Sequence, residues 1–153
     1  MEPITGSGDL RAGSASIATA RPPYTYFGVA RSMMLSVTAL ASKQPVPVLA
    51  HALVSAHVLE CLLKASITKG GAEEKVKQRD VRHNLKKLWA MAAAEGLGVP
   101  ASPPNWVACL SAIHDSPYCL RYSTGVHGIV TPSVQLVTSE LEGLLKEVEA
   151  HLK

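Results

Sequence analysis

The chain has 153 residues, with 15 Lys plus Arg against 12 Asp plus Glu and a pI near 8.8. One domain of this length can build a core without metal or disulfide staples. A composition that is 47% hydrophobic and 18% charged excludes collagen-like and wholly disordered classes.

MEPITGSGDL carries neither a basic leader nor an apolar segment, and no apolar run reads as long enough to span a bilayer, so export and membrane insertion are not expected. Cys61, Cys109 and Cys119 form no CxxC pair. They read as small core residues in a reducing cytoplasm. Residues 1–22 are rich in Gly, Ser, Ala and Thr and read as a disordered tail, leaving residues 23–153 as a single helical domain.

The first helix is expected from residue 24 to about 42, closed by Pro45 and Pro47. Between 47 and 68, Leu49, Ala52, Leu53, Ala56, Leu59 and Leu63 recur at steps of three and four, a helical face that Gly70 and Gly71 end. Residues 71–82 are charged and aperiodic. Helical spacing returns from His83 to Glu95 through Leu85, Leu88, Trp89 and Ala92. Ser102 followed by Pro103 and Pro104 is a start signal for a helix through Trp106, Val107, Leu110 and Ile113, ending at Pro117. A second start signal, Thr131 and Pro132, precedes Val134, Val137, Leu141, Leu144, Val148 and Leu152. With no sustained period-two alternation, the expectation is an all-α, up-and-down bundle of about five helices.

Residues 64–87 hold eight basic side chains, Lys64, Lys69, Lys75, Lys77, Arg79, Arg82, Lys86 and Lys87, against Glu73, Glu74 and Asp80. Such a segment attracts phosphate-bearing ligands and can equally be a solvated face. His57, Glu60 and Lys64 share one stripe of the second helix and are expected to line a bundle edge, with Glu60 orienting a cation from another helix. His57 and Cys61, four apart, could offer two metal ligands, but no third is evident, so no metal or other cofactor is expected. In the segment Arg121-Tyr122-Ser123-Thr124-Gly125-Val126-His127, a guanidinium fits phosphate oxygens and an imidazole can move a proton. Together they could cut RNA without metal by activating a ribose 2′-hydroxyl.

The run from Ala56 to Ala65, with His57, Glu60 and Lys64, followed by Arg82-His83-Asn84-Leu85-Lys86-Lys87-Leu88-Trp89, resembles the helical HEPN (higher eukaryotes and prokaryotes nucleotide-binding) superfamily over roughly residues 30–150. Arg121 and His127 fall where that superfamily carries its Arg-x(4 to 6)-His signature. The resemblance implies a helical bundle paired as a homodimer, and either metal-independent RNA cleavage of toxin or RNA-processing type or noncatalytic nucleotide binding. Catalytic roles then fall on Arg121, His127 and Glu60. Substrate-binding roles fall on Lys64, His57, His83, Lys86, Lys87 and Tyr122. Partners implied are RNA or nucleotide, and an antitoxin or a nucleotidyltransferase. The chain departs from the nuclease pattern in having Tyr122 after the Arg and in placing His127 ahead of the final helix. The rival reading is a noncatalytic interaction module in which Arg121 and Glu60 form an internal ion pair.

Overall fold

The computed structural model describes residues 21–122 and 128–153. Most of the expected tail, and the residues 123–127 that include His127, lie outside the described residues. Six helices and no strand are found among the described residues: α1 (Tyr24–Ala41), α2 (Val48–Lys69), α3 (Glu73–Lys77), α4 (Leu85–Ala94), α5 (Asn105–His114) and α6 (Val134–Leu152). The all-α bundle is therefore present, with one helix more than the periodicity predicts. The extra element is the five-residue α3, a single turn in the charged segment, which buries only Val76 and is too short to leave a periodic signature.

The architecture is organised around α2, which packs against α1, α3, α4, α5 and α6. Its first half is one-sided, and Leu49, assigned to the apolar face by its spacing, is 55% exposed. From Val58 to Thr68 every residue is buried, so the helix is surrounded and the amphipathic pattern gives way to a continuously apolar one. By length and hydropathy α2 also meets the criterion for a membrane span, which corrects the reading that no apolar segment reaches that length. Here its second half, from Val58 to Thr68, is enclosed by the neighbouring helices.

Against this central rod α1 lays Phe27, Ala30, Met34 and Val37, and α6 lays Val134, Val137, Leu141, Leu144 and Val148. Both sets step by three or four residues along one face. Helix starts differ from the sequence expectation by a few positions. Helix α4 begins at Leu85, because Asn84 is its N-cap and accepts from the Lys87 amide at 3.0 Å. That frees His83, expected to open the helix, to sit in the preceding turn. Helix α5 begins at Asn105 after Pro104, with no side-chain cap. For α6 the capping oxygen is that of Ser133, bonded by the Leu136 amide, which satisfies one of the donors a helix start leaves open.

Candidate functional site

An ionisable side chain in the middle of an apolar helix must find partners or change its charge. Glu60 is 4% exposed on α2, and it finds three. Lys64, one turn along the same helix, donates to Oε1 at 2.6 Å. His83 from the turn before α4 and His114 from the last turn of α5 both bond Oε2, at 3.0 and 2.6 Å. Burial pushes the Glu60 carboxyl up, but the hydrogen bonds from His114 and His83 and the charge of Lys64 outweigh it and hold the group well below the usual carboxylate range. Lys64 is itself 7% exposed and lies 5.8 Å from the Tyr26 ring. The pair is thus inside the bundle and not at its edge as its spacing suggested, and Lys64 does not belong to the basic surface.

From this core a chain of rings leads outward. His114 meets His83 edge-on at 5.9 Å, His83 meets Tyr118 at 5.8 Å, and Tyr118 meets Tyr122 at 6.3 Å. Tyr118 holds a left-handed backbone conformation (φ 59°), uncommon for a bulky residue. Arg121 sits 5.9 Å from the Tyr118 ring. The exposed end of the ladder is therefore Arg121 and Tyr122. The ion pair between Arg121 and Glu60 that the rival reading requires is absent among the described residues: the carboxylate is occupied by the lysine and the two imidazoles.

His57 lies beside this network, with Nε2 3.7 Å from the Cys61 sulfur. Burial lowers the pKa of its ring, opposed by Glu60 and reinforced by His114, Arg121 and Lys64. Burial and the Glu60 charge push the Cys61 thiol up to about 12, so His57 and Cys61 make a poor metal-binding pair, because the thiolate is the ligand form. Glu60, His83 and His114 do offer three ligand atoms within 4.8 Å of one another, a donor set known from zinc centres. Two features favour hydrogen bonding over coordination. The Lys64 ammonium already sits on that carboxylate, where it would repel a dication. Coordination through His114 Nε2 would also move a proton to Nδ1, which is buried and has no partner among the described residues.

A groove of about 670 Å³ adjoins the ladder at Tyr118, with Arg79, Arg82 and Lys87 on its walls together with Asp80 and Asp115. Lys87 is paired with Asp80 at 2.7 Å. Lys86 is exposed and lines a smaller neighbouring recess with Ser111 and Asp115. Of the residues selected from the sequence, Glu60, Lys64 and His83 are joined directly and His57 stands alongside. Among the described residues Arg121 and Tyr122 contact the network through Tyr118, and Lys86 and Lys87 stand apart from it.

His114 and Tyr118 escaped the sequence reading. A signal for His114 exists: Val107, Leu110, Ser111 and His114 lie on one stripe of α5, and a histidine on a core-facing stripe requires a buried partner. Tyr118 follows Pro117 in an irregular stretch and gives no such signal.

No protein-family model, curated protein or solved structure matches this chain.

Proposed function

We propose that the chain is a HEPN-like protein that binds RNA or a nucleotide at the outer end of the ring ladder and cleaves RNA without metal. The observation that carries this reading is the continuous path from the buried Glu60 carboxylate, through His83 and Tyr118, to an exposed Tyr and Arg beside the basic groove. Nucleobases stack on tyrosine faces. A guanidinium binds phosphate oxygens in pairs, and Arg82 and Arg121 supply two.

The orientation of His83 suits proton transfer. Its Nδ1 is held by Glu60, which directs Nε2 away from the carboxylate, as in other carboxylate–histidine pairs where the acid fixes the tautomer and the distal nitrogen works. The ring is about one-fifth exposed. In this scheme His83 takes the proton of a ribose 2′-hydroxyl, the oxygen attacks phosphorus, and the 5′-oxygen leaves, giving a cyclic phosphate and a 5′-hydroxyl. His127 serves as the acid that protonates the leaving oxygen, and two chains pair as a homodimer. An antitoxin or a nucleotidyltransferase is the partner this reading implies.

The test is labelled RNA incubated with the protein in excess EDTA. Arg121→Ala and Tyr122→Ala should each weaken binding about tenfold, the scale of one charge-assisted contact or one stacked base. His83→Asn should leave binding intact and abolish cleavage. Binding without cleavage in the wild type leaves the nucleotide-binding half of the proposal and removes the nuclease half. Absence of both, with His83→Asn lowering thermal stability, favours a noncatalytic interaction module in which Lys64, His83 and His114, and not Arg121, hold Glu60.

A further inference from the structure

Two carboxylates stand among the basic side chains of the groove beside Tyr118, and they are not equivalent. Asp80 is spent on Lys87 at 2.7 Å. Asp115 lines both the groove and the smaller recess next to it, and among the described residues it is bonded by a backbone amide and by no basic side chain. It is also the C-cap of α5, where the helix dipole and the free carbonyls disfavour a negative charge. An unneutralised carboxylate there works against phosphate binding in the groove, so the phosphates of an RNA do not account for it.

The residue is held firmly in place. Its amide donates to the Ser111 carbonyl at 3.1 Å, and its carbonyl accepts from the Tyr118 amide at 2.7 Å. The Ser116 amide donates to Oδ1 at 2.8 Å, which restrains the carboxylate and leaves Oδ2 and a lone pair of Oδ1 for a ligand. A carboxylate so held takes two parallel hydrogen bonds from a partner that offers adjacent N–H groups. Among the RNA bases that pattern belongs to guanine, whose Watson–Crick edge carries N1–H and the exocyclic N2 amine side by side. Adenine and cytosine place a ring-nitrogen lone pair beside their amino group, and uracil flanks its N–H with carbonyl oxygens, so each of them sets an acceptor against one carboxylate oxygen.

We infer that Asp115 selects guanine: the base meets the carboxylate edge-on while its flanking phosphates meet Arg79 and Arg82 on the wall of the same groove. The inference rests on the RNA reading and adds to it the base that the site prefers. Asp115 has a part in recognition and none in proton transfer.

The test measures binding of uridine heptamers that carry G, inosine, A, C or U at the central position, with 2′-O-methyl sugars that block cleavage by the proposed route. The G strand should bind about tenfold more tightly than the A, C and U strands, the scale of a bidentate base contact. Inosine lacks the N2 amine, and its strand should lie between. Asp115→Asn keeps the Oδ1 acceptor for the Ser116 amide, so the turn is retained, but it exchanges the other oxygen for an amide donor. It should erase the preference for G while the A, C and U strands bind at least as tightly as before, because a negative charge has left a basic groove. Melting curves establish that the variant is folded. Equal binding of all strands to the wild type overturns the inference and leaves the RNA reading standing, whereas no binding of any strand overturns both. A preference for G that survives in folded Asp115→Asn also overturns the inference, and so does a uniform loss across all strands, which marks a purely structural role.

Discussion

Glu60 combines near-complete burial with full ionic satisfaction, and this makes its energetics asymmetric. While Lys64, His83 and His114 are in place the carboxylate is accommodated; removing it strands an ammonium and two imidazoles in the core. Loss of one member of a buried charged set typically costs about 3–5 kcal/mol, so Glu60→Ala should lower unfolding free energy by roughly that amount in urea titrations, with an unchanged slope if the fold is kept. The neighbouring Cys61 offers a second measurement at this scale. Its thiol is buried and pushed up to about 12, while Cys109 and Cys119 are partly exposed. Alkylation of the native protein near pH 8, read by peptide mass spectrometry, should modify Cys109 and Cys119 and spare Cys61.

For the elements, start signals proved less exact than periodicity. Helix α6 is the clearest case: its apolar stripe was legible in full, and its start is fixed by Ser133, one residue beyond the expected Thr131 and Pro132 signal. In α4 the Asn84 cap does two things at once, since it begins the helix and so places His83 in the turn where it can reach Glu60. Replacing Asn84 by Ala removes the acceptor for the Lys87 amide and should cost about 1 kcal/mol, read as a lowered melting temperature. Asn84→Ser, which retains a capping oxygen, should recover most of it. A loss of RNA cleavage by folded Asn84→Ala, with binding retained, would tie the cap to the position of His83.

At the scale of the molecule, burial of titratable groups makes stability depend on pH in one direction. Glu60 has its pKa depressed by His114, Lys64 and His83 against the effect of burial, so its contribution is complete above its ordinary value of 4.5 and fades as pH falls below it. His51 and His57 are both lowered by burial from 6.5. Their unfolded forms take up protons first, so stability begins to fall as soon as pH drops below 6.5. Melting temperature should therefore be level from pH 7 to 8 and decline progressively on acidification. His51→Gln, which preserves a donor for the Thr138 hydroxyl that the ring bonds at 2.9 Å, should flatten the upper part of that decline. A melting temperature that rises on acidification from pH 7 to 5 would contradict this account.

The amino-acid sequence by itself determined the helical class, the apolar stripe of α6, and the presence on α2 of a His, Glu and Lys set, because periodicity and residue chemistry are local properties carried in a window of a few turns. Only the tertiary structure decided how those groups are used. His114 lies 54 residues from Glu60 and meets it because α5 packs on α2, and the count of basic residues could not tell that Lys64 faces inward. Which groups lose their water, and which charges must then answer one another, is set by how the helices pack, and spacing along one helix does not contain that information.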